Sequence, residues 1–96
     1  MKATRTTSSR SGLSRIVIAD DHELARAGLR SMLASDRNLQ LVGEATNGQE
    51  AVQLCRQHQP DLAVLDVRMP EMDGLAATRS IKQQCPRTSV LIVTTH

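Results

Sequence analysis

Three short apolar runs divide this chain, and none of them alternates between apolar and polar residues. They cover residues 16–19, 62–65 and 90–93. An unbroken run of this length is typical of a strand that is buried on both faces, as in a parallel sheet. A more polar segment, residues 39–45, suits a strand at the edge of the sheet. We therefore predict four strands, the first of them covering residues 15–19.

Apolar residues recur at helical spacing between the first two strands. We predict a helix from residue 21 or 22 to about residue 35, with an apolar stripe toward the sheet. This stripe consists of Ala25, Leu29, Met32 and Leu33.

Two further helices are predicted after residues that cap helices well. Thr46 or Asn47 precedes the second helix, and Asp73 precedes the third. In the second helix Ala51, Leu54, Cys55 and His58 recur at helical spacing, with His58 expected to cap the helix or lie at the surface. The inward positions of the third helix are Leu75, Thr78 and Ile81. Strands thus alternate with helices, which indicates an α/β fold with a doubly wound parallel sheet and right-handed crossovers.

Acidic side chains stand at the ends of two predicted strands. The first strand ends in Asp20 and Asp21, and the third ends in Asp66. The order 2-1-3-4, which is common among doubly wound sheets, places these two strands side by side. Three carboxylates would then converge, and a hard cation such as Mg²⁺ would relieve their repulsion. An isolated acidic pair is more often a helix cap, but two matching strand ends favour a site.

Several motifs of this chain resemble the receiver domain of bacterial two-component response regulators. They are Asp20-Asp21-His22, the segment 65–74 (Leu-Asp-Val-Arg-Met-Pro-Glu-Met-Asp-Gly) and Val93-Thr94. Residues 42–51 and the final Thr94-Thr95-His96 are similar to the NarL/FixJ subfamily in particular. The resemblance covers roughly residues 14–96 and implies a flavodoxin-like fold.

The resemblance also implies a role for each motif. Asp66 would accept a phosphoryl group from a sensor histidine kinase, and Thr94 would be the switch hydroxyl, with Thr95 as the neighbouring alternative. Mg²⁺ would be held by Asp20, Asp21, Asp66 and the backbone carbonyl of Arg68. Arg68 and His96, two positions after Asp66 and Thr94, would tune the lifetime of the phosphorylated state.

Composition adds a basic tail and excludes some classes of partner. The 96 residues contain no Phe, Tyr or Trp, so the core must be aliphatic. Residues 1–14 read as a flexible basic tail before a receiver domain of residues 15–96, whose charge does not suit nucleic-acid binding. The two cysteines have no metal-like spacing, and we expect them to be reduced and buried. No membrane span or secretory signal is predicted, so we expect a cytoplasmic protein.

The sequence departs from the receiver pattern after residue 96. Receivers continue with a helix, a fifth strand that carries a lysine, and a last helix, and the subfamily adds a helix-turn-helix domain that regulates transcription. We therefore expect the receiver to lack its last helix-strand-helix portion. We also expect the isolated chain to be partly unfolded, aggregated or self-associated through its fourth strand.

Two other functions remain open from the sequence alone. One is a Mg²⁺-dependent phosphatase with an aspartyl nucleophile, but such enzymes need a second acid where this chain has Arg68. The other is a receiver-like interaction module that is not phosphorylated. The receiver interpretation, which predicts a signalling protein rather than an enzyme, accounts for the most residues.

Overall fold

In the computed structural model, which describes residues 12–94, four parallel strands form one sheet in the order β2-β1-β3-β4. The strands are β1 (Ser14–Ala19), β2 (Leu39–Ala45), β3 (Leu62–Asp66) and β4 (Ser89–Val93). The three helices are α1 (Glu23–Ala34), α2 (Gly48–His58) and α3 (Gly74–Gln84). The predicted order 2-1-3-4 and the predicted parallel sheet are confirmed.

The helices begin where short-range hydrogen bonds satisfy their first amides. The Asn47 side chain accepts a bond from the Glu50 amide, and the Asp73 side chain accepts one from the Ala76 amide, each at 2.8 Å. The Thr46 amide and hydroxyl in turn donate to the Glu50 carboxylate, which lowers the pKa of that group. Asn47, rather than Thr46, is therefore the cap of α2.

The strand period of two divides the core between the two faces of the sheet. Val17 and Ala19 of β1 point into a cluster with α2 and α3, which contribute residues such as Ala51 and Ile81. Ile16 and Ile18 point to the opposite face, where Val64 of β3 lies beside them and Leu29 and Leu33 of α1 cover them. The sheet is thus enclosed by helices on both faces, as a doubly wound fold requires.

Two of the predicted core residues are wrong. Met32 is 67% exposed and Leu75 is 53% exposed. In α1 the stripe toward the sheet passes through Leu29 and Leu33, four residues apart, which turns Met32 away from it. In α3 the buried residues are Gly74, Ala77 and Ile81.

Both cysteines are free thiols and are fully buried in the core on the α2–α3 side of the sheet, as predicted. Cys55 lies in α2 and Cys85 directly follows α3. Gln59, which ends α2 in a left-handed conformation (φ 48°), brings its side-chain amide to 3.6 Å from the Cys85 sulfur. Aliphatic side chains and thiols therefore form this core without any aromatic ring.

One edge of the sheet is open within the part of the chain that the structure describes. There, β4 pairs only with β3, and no other strand lies beyond it. Leu91 is 37% exposed, and Val90, Ile92 and Val93 are only partly buried. The predicted strand at this position is confirmed, but it is not enclosed on both sides.

Some predictions concern residues outside the described range. Thr95 and His96 lie there, as does most of the predicted tail, although Ser14 is already the first residue of β1. Within residues 12–94, no helix is both long and apolar enough to cross a membrane.

Candidate functional site

The register of the sheet brings the two acidic strand ends together. Ala19 of β1 is paired with Leu65 of β3, so Asp20 and Asp66 follow in the next row of adjacent parallel strands. Both side chains are buried, at 0% and 1% exposure. The carboxyl ends of such strands are where doubly wound proteins bind ligands.

Four side chains form one cluster at this edge. Asp20, Asp21, His22 and Asp66 each offer a ligand atom, and these atoms all lie within 4.8 Å of one another. The structure therefore brings together the three carboxylates that the sequence singled out. The sequence does not single out the fourth member, His22, as a site residue. Its position directly after two aspartates is the sequence feature that could have indicated its place in the cluster.

The Asp20 carboxylate has one anchored oxygen and one open oxygen. Oδ1 accepts a hydrogen bond of 2.8 Å from the His22 amide. Oδ2 is buried and has no hydrogen-bond partner. A buried carboxylate oxygen without a partner is costly, and a bound cation would compensate for that cost. The cluster therefore fits a divalent cation.

The His22 ring faces the two neighbouring aspartates. Its Nδ1 lies 3.1 Å from Oδ1 of Asp20 and 3.1 Å from Oδ1 of Asp21. The side chain is 50% exposed, so the ring lies between the buried acids and solvent. His22 is also the residue before α1, yet its side chain makes no cap hydrogen bond to that helix.

Arg26 contacts the main chain of Asp20, at the end of β1. Nothing in the sequence predicted this contact. Its Nη1 donates a 2.8 Å hydrogen bond to the Asp20 carbonyl oxygen. The guanidinium also pairs with Glu23, and its Nε lies 3.4 Å from Glu44 of β2. Arg26 thus connects α1 and β2 to the end of β1.

An open cleft of about 760 Å³ lies above the cluster. Its lining residues are Asp21, His22, Val67, Arg68, Met69, Pro70 and Asp73. The loop that follows β3 forms most of this wall and includes a tight turn at Glu71, whose φ is 70°. The Met72 amide closes that turn with a 2.7 Å bond to the Pro70 carbonyl.

The remaining predicted site residues flank the cluster. Thr94 follows β4, whose Val93 is paired with Asp66, so Thr94 lies one row beyond the strand ends and is exposed. The Val67 amide donates to the Val93 carbonyl at 3.0 Å, which ties the loop after β3 to β4. Arg68 is exposed in the cleft wall.

Residues 16–96 match the family profile described as "Response regulator receiver domain". The uncharacterized transcriptional regulatory protein YhcZ of Bacillus subtilis is 43% identical over 85% of this chain, which spans only 38% of that relative. The receiver domain of the putative response regulator NarL from Mycobacterium tuberculosis superposes with a TM-score of 0.83 at 38% identity, over 88% of this chain and 68% of that one. A chain of the Borrelia burgdorferi CheX–CheY complex with BeF₃ and Mg²⁺ superposes with a TM-score of 0.82 at 25% sequence identity. The superposition covers 90% of this chain and 66% of the chain in that complex.

Proposed function

Because this chain belongs to the response regulator receiver domain family, we propose that it accepts a phosphoryl group on Asp66 from a sensor histidine kinase. Receiver domains of this family serve phosphorelay signalling. The observation that carries the proposal is the position of Asp66, buried at the end of β3 in the row next to Asp20 of β1. Its carboxylate is the nucleophile, and the other acids lie beside it.

The transfer exchanges one bond to phosphorus for another. An Asp66 oxygen attacks the phosphorus of a phosphohistidine, the P–N bond breaks, and the histidine nitrogen leaves with the electron pair of that bond. A carboxylate is a weak nucleophile, so in-line positioning and charge neutralisation must supply the catalysis. The open cleft beside the loop after β3 gives the donor room to approach.

A divalent cation fits this site for two reasons. Oδ2 of Asp20 is buried without a hydrogen-bond partner, and the three aspartates offer carboxylate oxygens as ligands. We propose that Asp20, Asp21, Asp66 and the main-chain carbonyl of Arg68 hold Mg²⁺. When bound, the ion neutralises charge on the carboxylates and on the incoming phosphoryl group. The Borrelia CheY complex, which contains Mg²⁺ and BeF₃, supports this part of the proposal.

Thr94 is the switch hydroxyl in this proposal. It follows β4 directly and is exposed, so it must turn inward to donate a hydrogen bond to a phosphoryl oxygen. Because the Val67 amide binds the Val93 carbonyl, such a turn would also pull on the loop after β3. The switch would therefore move the end of β4 and the loop after β3 together.

The rest of the proposal concerns output and location. The relative YhcZ is longer than this chain, which spans 38% of it. The similarity to a transcriptional regulatory protein supports control of transcription as the output, through a DNA-binding domain elsewhere in that protein. We place the protein in the cytoplasm, with the kinase as its partner. The receiver itself binds neither nucleic acid nor membrane in this proposal.

Labelling by a small phosphodonor tests the proposed function. The chain is extended by the C-terminal part of the similar M. tuberculosis receiver domain and treated with acetyl phosphate and Mg²⁺. Mass spectrometry should find one phosphoryl group on Asp66, and Asp66→Asn should remove it while circular dichroism stays unchanged. Asp36→Asn, in the turn between α1 and β2, is the matched control and should label normally.

Two results would contradict the proposal. Equal labelling of the Asp66→Asn variant would place the phosphoryl group elsewhere. Continuous release of phosphate from phosphate monoesters, with loss of that turnover in Asp66→Asn, would instead indicate a phosphatase.

A further inference from the structure

The imidazole of His22 adds a nitrogen donor to a cluster that is otherwise made of carboxylates. Its ligand atom lies within 4.8 Å of those of Asp20, Asp21 and Asp66. Carboxylate oxygens suit Mg²⁺, whereas imidazole suits first-row transition ions. The presence of His22 therefore bears on which divalent ion the site prefers.

The spacing around Nδ1 matches the edge of a coordination polyhedron. Nδ1 lies 3.1 Å from a carboxylate oxygen of Asp20 and 3.1 Å from one of Asp21. Neighbouring ligands of an octahedral ion with bonds of about 2.1 Å are about 3.0 Å apart. A cation can thus take a place beside these three atoms with little movement of the ring.

A second observation independently points to a ligand at the same place. Oδ2 of Asp20, a residue that is 0% exposed, has no hydrogen-bond partner. The other oxygen of this carboxylate is fixed by the His22 amide, which holds the side chain in place. The anchoring amide and the imidazole belong to the same residue, so the carboxylate and the ring are positioned as one unit.

The surroundings of His22 leave its ring accessible to an ion. The ring lines the open cleft and is half exposed, whereas Asp20 and Asp66 lie beneath it. Its side chain is not used to cap α1. An ion that enters through the cleft would therefore meet the imidazole and Asp21 first and the two buried carboxylates next.

We infer that His22 is a nitrogen ligand of this site, so that a divalent first-row transition ion binds there through His22, Asp20, Asp21 and Asp66 more tightly than Mg²⁺ does. The inference uses the acidic site of the proposed function and adds the identity of the ion. His22 would then determine the metal selectivity of the site. With carboxylate ligands alone, the site would prefer hard ions such as Mg²⁺.

Calorimetric titration of the extended chain described for the labelling experiment, with Ni²⁺ and with Mg²⁺, tests the inference. The parent should bind Ni²⁺ more tightly than Mg²⁺. His22→Gln should weaken Ni²⁺ binding by about tenfold or more and change Mg²⁺ binding by less than about threefold. His58→Gln, which removes an imidazole at the far end of α2, is the control and should leave both affinities unchanged.

Pulsed electron paramagnetic resonance of bound Mn²⁺ gives a readout of the nitrogen ligand itself. Coupling to an imidazole nitrogen should appear in the parent and in His58→Gln and disappear in His22→Gln. If the coupling persists in His22→Gln, or if that variant keeps its Ni²⁺ affinity, His22 is only a counter-ion for the aspartates and the inference is overturned. Normal Mg²⁺ binding alongside that result would leave the proposed function intact, whereas equal acetyl phosphate labelling of the parent and of Asp66→Asn would contradict the proposed function instead.

Discussion

Asp21 differs from the other two carboxylates of the site in its exposure to solvent. Its side chain is 36% exposed, whereas those of Asp20 and Asp66 are buried. Asp21→Ala should weaken Mg²⁺ binding by about tenfold or more, because the remaining protein ligands are few. The same change should raise the free energy of unfolding of the metal-free protein by about 1 kcal/mol, since it relieves repulsion between like charges.

Titration calorimetry and urea unfolding without metal measure these two effects of Asp21→Ala. Glu71→Ala, in the loop after β3 but outside the cluster, is a control for the loss of one acid. Unchanged Mg²⁺ affinity together with lower stability of the metal-free protein would contradict both halves of the prediction.

Arg68 stands in the wall of the cleft, two residues after Asp66, with an exposed side chain. We expect it to control the access of water to the phosphorylated carboxylate. Arg68→Ala should change the dephosphorylation rate more than twofold, while the free energy of unfolding stays within about 0.5 kcal/mol, as is usual for surface changes. Arg87→Ala, in the exposed turn before β4, is the matched control.

The decay of the labelled, extended chain gives these rates. A half-life for Arg68→Ala equal to that of the parent would refute the assigned role. His96 carries the same expectation from the family pattern and lies outside the described residues.

At the scale of elements, the start of α3 packs against the end of β3 at Gly74. A Cβ atom at this position would clash with the main-chain carbonyl oxygen of Asp66. Gly74→Ala should therefore force α3 away from β3, lower the midpoint of thermal unfolding and reduce phosphorylation of Asp66.

Gly28 in α1, unlike Gly74, has room for a Cβ atom and therefore serves as the control. A Cβ atom there meets nothing within 4 Å, so Gly28→Ala should stabilise the protein by about 0.5–1 kcal/mol through helix propensity. Thermal melting and acetyl phosphate labelling of the two variants check the pair. A Gly74→Ala variant that melts and labels like the parent would show that α3 can shift without cost.

The predictions from the sequence succeed where local chemistry decides the structure. Unbroken apolar runs predicted three of the four strands, and the bounds of all four predicted strands agree with the structure to within one residue. Asp73 was predicted as a cap because its side chain bonds an amide only three residues away. Met32 and Leu75 were placed wrongly, because the side of a helix that faces the sheet depends on how the helix docks.

The same distinction applies to the site. The convergence of Asp20, Asp21 and Asp66 followed from strand order, which a general rule for parallel sheets supplies. The contacts of His22 and Arg26 did not follow, since they depend on how the chain leaves β1 and on the rotation of α1. These are properties of the assembled fold rather than of any segment.

At the scale of the whole molecule, the open edge of β4 is the feature with the largest consequence for association. Within the described residues its outer backbone groups meet no other strand, and Leu91 is partly exposed beside them. Such an edge is a template for pairing with a second copy. We expect the isolated 96-residue chain to self-associate through β4 as its concentration rises.

Sedimentation equilibrium checks this prediction with a pair of variants. Leu91→Lys should shift the chain toward monomer, because a charge at a strand edge opposes pairing. Leu24→Lys, which replaces another exposed leucine on α1, should leave the association unchanged. A parent chain that stays monomeric at all concentrations would refute the role of β4.

The two buried thiols provide a chemical probe of how often the core of this protein opens. Without Trp, Tyr or Phe the chain has almost no near-ultraviolet absorbance and no intrinsic fluorescence, so these two probes report little on its core. Burial, together with a smaller effect of the neighbouring Cys85 thiol, raises the pKa of Cys55 to about 12. The reactive thiolate is therefore scarce while α2 and α3 stay packed. The rate at which a thiol reagent modifies Cys55 then measures the opening of that half of the core, and it equals the opening rate when modification is faster than reclosing.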